Sequence, residues 1–343
     1  MGESWFALSP ADQSEALEVA AARSGRPAHL LEKDVWVVWT LGAIYGSALA
    51  PALTFKGGTS LSKVYQVIDR FSEDLDLTYD IRALAPDLLL DGDPIPRSSS
   101  QEKKLSSAVR KRLPDWIAQM VQPVLQSALH AAGLQATLGM AGRDRDQLIL
   151  AYQPVKAGTG YAPPTILLEF GARATGEPNQ VLPVACDMAT WLAGVDFPVA
   201  RPLVMAAERT FWEKATAAHV YCLQGRLRGE RYSRHWYDLA QLAASVHFDK
   251  AVTDHALARQ VAQHKAMFFA EKDARGQWID YTRAVSGALQ LIPQGASLEA
   301  LEKDYIAMLA DGLLSSHQPD FTQLMARCLR IQERVNRTGH EAP

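Results

Sequence analysis

The chain has 343 residues, 48% hydrophobic and 21% charged, with 35 Lys and Arg against 38 Asp and Glu for a net charge of −3. This is an ordinary globular composition, long enough for two domains, and its slight acidity excludes a global nucleic-acid footprint, so any RNA or DNA contact must use a local basic patch. Cys186, Cys222 and Cys328 are too scattered for a disulfide framework, the histidines lack H-x-x-x-H spacing for zinc, and neither a signal peptide nor an apolar run of about 18 residues is present, so a reducing cytoplasm and no membrane partner are expected.

The first predicted helix is "SPADQSEALEVAAARSG", with Ser9 as N-cap, Pro10 at the first helical position and Gly25 as the stop. A second covers "PAHLLEKDVWVVWTLGAIYG", in which the charge triplet Glu32, Lys33 and Asp34 reads either as a solvated turn or as a group reaching a site edge. A short strand, "ALTF", runs into Gly57 and Gly58. After it, Leu61, Val64, Tyr65 and Ile68 fall at i, i+3, i+4 and i+7, which predicts one helical stripe. "EDLDLTYD" then alternates, with Asp74, Asp76, Thr78 and Asp80 on one strand face.

"ALAPDLLLDGDPIPRSSSQEKK" reads as a connecting loop. "KKLSSAVRKRLPDWIAQMVQPVLQSALHAAG" is helical, with a break expected near Pro114 and a kink at Pro123. "LQATLGM", "QLILAYQPV", "TILLEFGAR" and "VLPVACDM" are the next strands. From about Pro202 the pattern is helical. The expected architecture is α+β: a mixed sheet with helices over residues 1–195, followed by a helical bundle over 196–343.

The stretch from Phe55 to Asp80 carries the chemistry. Carboxylates two apart on a strand share a face at about 6–7 Å and can share a divalent cation. A strand that feeds a Gly-Gly turn and a helix start presents backbone N–H groups suited to phosphate, and Thr59 and Ser60 add hydroxyls there. Together these are the parts needed for nucleotidyl transfer from a metal-bound nucleoside triphosphate. Each part alone is common. The combination at this spacing is specific.

"FKGGTSLSK" followed by "RFSEDLDL" resembles motif I of the DNA polymerase β-like nucleotidyltransferase superfamily, in the form found in AbiEii-type toxins of type IV toxin–antitoxin and abortive-infection systems. The resemblance takes in "LLEKDVWV", "TILLEFGAR", "ERTFWEKATAAH" and "RYSRHWYDLAQL", over roughly residues 28–245. It implies that Asp74 and Asp76 bind metal, Mg²⁺ or Mn²⁺. It also implies that Gly57, Gly58, Thr59 and Ser60, with Lys63 closing the stretch and Ser72 near the triphosphate, bind the nucleotide. Lys214 and Asp238 resemble the lysine and aspartate of two later helical motifs and join Asp74 and Asp76 as catalytic candidates. A polymerase β-like fold and a site in a cleft between the domains are also implied.

The residues themselves leave alternatives open. Glu169 alternates with apolar neighbours on its strand and is either a third metal carboxylate or a salt-bridge partner of Arg173. Lys214, read alone, is a solvated group on an amphipathic helix. Asp238 is spaced to pair with Arg234. His235 and Trp236 stand where family members often carry an Arg-Asp start. Arg226, Arg228, Arg231, Arg234 and His235, with Tyr232 and Trp236, suit phosphates and stacked bases, or form a solvated loop. "KKLSSAVRKRL" reads as an ordinary helical face.

The function expected from the resemblance is a toxin that transfers NMP from NTP to RNA, with the tRNA 3′ end as acceptor. Its expected partner is a separately encoded antitoxin, often a winged-helix DNA-binding repressor. The competing readings are transfer to a protein or small-molecule hydroxyl, and a GTP- or ATP-binding module without turnover.

Overall fold

The computed structural model describes residues 2–70, 72, 74–158, 163–225, 231–310, 314 and 318–340. The chain divides into two compact units. Unit 1 comprises Met1–Val64, Ser72–Pro94 and Leu105–Met205, and unit 2 comprises Tyr65–Phe71, Ile95–Lys104 and Ala206–Pro343.

Unit 1 opens with a two-residue strand, β1 (Glu3–Ser4), and helices α1 (Pro10–Ser24) and α2 (Ala28–Tyr45). Ser9 caps α1 by accepting from the Asp12 N–H, and Gly25 ends it in the left-handed conformation, φ 71°. Next come β2 (Leu53–Lys56), α3 (Gly57–Lys63), β3 (Leu75–Tyr79) and the short α4 (Ile81–Leu84). Helices α5 (Ser99–Trp116) and α6 (Gln122–Ala131) are joined by a π-helical turn over Ile117–Val121. Pro114 therefore sits inside α5, and the irregularity expected there lies three residues further on.

The remaining strands are β4 (Ala136–Ala141), β5 (Gln147–Tyr152), β6 (Thr165–Gly171), β7 (Asn179–Val181), β8 (Val184–Ala185), β9 (Val195–Asp196), β10 (Val199–Ala200) and β11 (Leu203–Met205). Five of these join β2 and β3 in one seven-stranded sheet, in the order β4-β5-β6-β3-β2-β11-β7. Its centre is mixed: β3 runs parallel to β6 and antiparallel to β2. One face is apolar, with Phe55, Leu75, Leu77, Leu148, Leu150, Ile166 and Leu168 fully buried. Helix α2 packs against β6, and Trp36 stacks on Tyr152 of β5 at 4.8 Å. The alternation that buries these residues turns their neighbours to the other face.

Unit 2 is helical as expected: α7 (Ala207–Gln224), α8 (Arg234–Ala243), α9 (His247–Thr253), α10 (His255–Phe268), α11 (Ala296–Ala310) and α12 (Phe321–His340). Helix α8 packs on both α7 and α12. Buried indoles tie the helices to backbone carbonyls: Trp212 Nε1 donates to Ala251 O at 2.8 Å and Trp236 Nε1 to Leu291 O at 2.6 Å. Among the described residues no helix is long and apolar enough to cross a membrane.

Candidate active site

A row of polar side chains crosses the open face of the sheet. Lys56 of β2 pairs with Asp76 of β3, Asp76 with Glu169 of β6, and Glu169 with Gln147 of β5. Asp74, two residues before Asp76, extends the acidic face. Gln147 Nε2 donates to Glu169 Oε1 at 2.6 Å, so the partner of Glu169 is Gln147 rather than Arg173. Burial raises the Glu169 carboxyl above the usual range, and the charges of Asp76 and Asp74 raise it further.

The glycine turn is packed directly against this row. Gly57 has φ 79°, and a Cβ built on it would collide with Asp76 Oδ2. The conformational demand thus falls on Gly57; Gly58 is buried beside it. Thr59 and Ser60 are buried, and their hydroxyls brace the turn. Thr59 Oγ1 donates to Asp74 O at 2.6 Å and is hydrogen-bonded with Ser72 Oγ at 3.0 Å, and Ser60 Oγ donates to Gly57 O at 2.9 Å.

The helical stripe expected through Ile68 does not form. Helix α3 ends at Lys63, and Gln66 has φ 51°. Val64 belongs to unit 1, whereas Tyr65 and Ile68 belong to unit 2, so the four apolar residues do not share one helix face. Antiparallel pairing of β2 with β3, not the length of a helix, brings the turn to the carboxylates.

Lys63 is held inward. Its Nζ lies 2.5 Å from Asp34 Oδ1 and 2.5 Å from Asp187 Oδ1, and its side chain is 8% exposed. Asp34 also accepts from the Asp187 backbone N–H at 2.7 Å. Burial opposes the charge on Lys63, but the two carboxylates outweigh it and raise the ammonium pKa. Burial raises the Asp34 carboxyl, with Lys63 pulling the other way.

The triplet 32–34 is therefore a buried bracing element, not a solvated turn. Glu32 accepts from the Val155 and Lys156 N–H groups at 2.7 and 3.1 Å, and Lys33 Nζ donates to Pro163 O at 3.0 Å. The chain spacing, which put these charges before an apolar run, could not show that the loops they bind return over them.

Within unit 2, Asp238 is fully buried and does not pair with Arg234. Arg70 grips it with two bonds, Nε to Oδ1 at 2.7 Å and Nη2 to Oδ2 at 2.8 Å. Lys214 Nζ lies 2.8 Å from Oδ2, with its side chain 12% exposed, so it is no solvated surface group. Burial alone would raise the Asp238 carboxyl, but Arg70 and Lys214 drive it far below the usual range.

Arg234 Nε instead donates to Arg231 O at 3.1 Å. His235 is buried and neutral, lowered to about 3 by burial and by the charge of Lys214. Arg226 and Arg228 of the arginine-rich stretch lie outside the described residues. Sequence reasoning missed Lys56, Gln147 and Arg70 as members of these clusters. The register of neighbouring strands would have found the first two; Arg70 meets a partner 168 residues away.

Among the described residues no group of three or more His, Cys, Asp or Glu side chains is placed to hold a metal ion. The oxygen donors on the sheet face still suit a hard divalent ion. Such an ion is commonly held by one or two carboxylates while substrate phosphates complete its shell.

The family model of the nucleotidyl transferase AbiEii toxin, type IV toxin–antitoxin system, matches residues 39–327. The chain belongs to this family. The match runs well past the motifs that end near residue 245. AbiEii proteins are nucleotidyltransferase toxins, so the enzyme class, an NTP substrate and an antitoxin partner follow. Among solved structures, MenT4, a nucleotidyltransferase toxin from Mycobacterium tuberculosis H37Rv, is similar at 17% identity, with 95% of this chain and 97% of that chain covered and a TM-score of 0.44. No curated protein matches this chain.

Proposed function

We propose that this AbiEii-family toxin is a divalent-metal-dependent enzyme, using Mg²⁺ or Mn²⁺, that transfers NMP from NTP to an RNA acceptor, foremost the tRNA 3′ end. The observation that carries this reading is the cross-strand row in which Asp76 stands between Lys56 and Glu169, with Gly57 packed on its carboxylate.

Asp74 and Asp76 would hold the cation, with Glu169 alongside, oriented by Gln147. A cation bound there would offset the triphosphate charge and the charge that develops at phosphorus. Gly57 and Gly58 would let the phosphates approach the backbone. Thr59, Ser60 and Ser72 act by holding that turn against β3. Lys63, committed to Asp34 and Asp187, serves nucleotide binding by fixing the far end of α3. The acceptor oxygen forms a bond to the α-phosphorus as the bond to pyrophosphate breaks; pyrophosphate leaves with the electron pair, and the hydroxyl proton passes to water.

We assign Lys214 and Asp238 to the catalytic set on the family resemblance of their motifs. Both oxygens of Asp238 are engaged by Arg70 and Lys214, which supports a role in holding those cations rather than in orienting an acceptor hydroxyl. The antitoxin we propose is a separately encoded winged-helix repressor, and the cytoplasm is the expected place of the reaction.

The test is incubation with total RNA, protein extract and each labelled NTP in turn, with and without chelator, and with Asp76→Ala as control. Label in RNA that is lost with chelator and with Asp76→Ala is the expected result. Label only in protein overturns the acceptor, and full activity in chelator overturns the metal.

A further inference from the structure

Helix α8 has a second face. Ala240, Ala243 and Ala244 lie two, five and six residues beyond Asp238, roughly on the opposite side of the helix. There they line an open groove of about 460 Å³ with Phe248 of α9, and Arg327, Arg330 and Arg334 of α12 form its rim. None of these residues has a place in the chemistry described above.

The arginines follow a rule. Positions 327, 330 and 334, continued by Arg337, fall at i, i+3, i+7 and i+10, so four guanidiniums follow one flank of α12. Their stride is about 5 Å and their span about 15 Å. Arg330, Arg334 and Arg337 are exposed. Two acids lie beside them: Glu333, three residues after Arg330 and four before Arg337 on the same helix, and Asp249, whose side chain is 82% exposed and lies 3.5 Å from Arg334. Such a surface pair contributes little and gives way readily to a stronger anion.

We propose that this groove tracks the phosphodiester backbone of a single-stranded RNA segment; the proposal rests on the reading of RNA as acceptor. A stride of one helical turn is comparable to the phosphate step of a flexible strand. The flank carries arginines and no lysine, and the planar guanidinium fork matches phosphate oxygens in pairs. The alanine wall lets a backbone come close, and the Phe248 ring offers a stacking surface for a base. An acidic protein helix is the competing occupant.

The test is binding of a fluorescent single-stranded oligoribonucleotide, and of bulk tRNA, across a salt series. Each lost phosphate contact should flatten the dependence of log K on log salt by about 0.7. Arg330→Ala/Arg337→Ala should therefore bind RNA of every sequence more weakly, with a slope shallower by about 1.4. Arg330→Lys/Arg337→Lys, which keeps the charge, should retain most of the slope.

Unchanged affinity and slope in the alanine variant overturn the proposal, as does a wild-type protein that binds no RNA. Polyglutamate binding as tightly as RNA and depending on the same arginines would mark an acidic-protein surface and also overturn it. The acceptor reading fails separately: if wild type binds RNA through these arginines yet labels none, the groove stands and the acceptor falls. If the alanine variant labels RNA with unchanged KM, the acceptor stands and the groove falls.

Discussion

Each unit holds an ion cluster, and the two are built around opposite centres. In unit 1 the ammonium of Lys63 lies between the carboxylates of Asp34 and Asp187, and Arg26 pairs with the other oxygen of Asp187. In unit 2 a single carboxylate, Asp238, lies between the guanidinium of Arg70 and the ammonium of Lys214. The difference decides which cluster can relieve itself by titration. A carboxylate of the unit 1 cluster can take up a proton, and the raised carboxyl of Asp34 leans that way. The guanidinium of the unit 2 cluster cannot lose its proton in any accessible range. The unit 2 cluster therefore tolerates loss of its central member worse than the unit 1 cluster does.

The largest expected effect follows directly. Asp238→Ala removes the carboxylate shared by two cations and should lower the unfolding free energy by about 3–5 kcal/mol in urea denaturation. The lowered carboxyl contributes stability above the ordinary carboxylate range and loses it only as pH falls into that range. The cost should thus persist across neutral pH. A loss below about 1 kcal/mol would mean that Arg70 and Lys214 find water or other partners.

Lys63→Met should come next, at about 3 kcal/mol near pH 8 and clearly less near pH 5. Asp34 already has a raised carboxyl, so its contribution is present at low pH and fades as pH rises through its folded value. Removing Lys63 raises that value further, and the protonated carboxyl then fits the site without that ammonium. A cost independent of pH would remove the contrast between the clusters.

The smallest stability effect belongs to the open sheet face. Asp76→Ala removes one of several mutually repelling carboxylates and should leave stability within about 0.5 kcal/mol of wild type. Nucleotide labelling should nevertheless fall by about 10²–10³-fold. Unfolding of this variant would show that Asp76 is structural, like Asp34 and Asp238.

The acidic strand face was legible because a period of two needs no tertiary knowledge: Leu75 and Leu77 inward place Asp76 outward. Ser9, Pro10 and Gly25 were equally legible, since caps are local. The Leu61–Ile68 stripe was misread because periodicity carries no stop signal, and the left-handed turn at Gln66 has none of the usual glycine marking. The buried clusters were hidden for another reason. Asp34 meets Asp187 from 153 residues away, and no local pattern says which distant charge will fill a buried site. Lys63 and Asp238 were picked out by motif, but what they touch was not.

Gly57 gives the toxin a genetic weak point. Any missense change at its codon adds a Cβ, and every Cβ there runs into the Asp76 carboxylate while demanding a backbone angle that side chains resist. No gentle allele is available at this position. Among cells that survive forced expression of the gene, inactivating substitutions should recur at codon 57 across all its reachable amino acids.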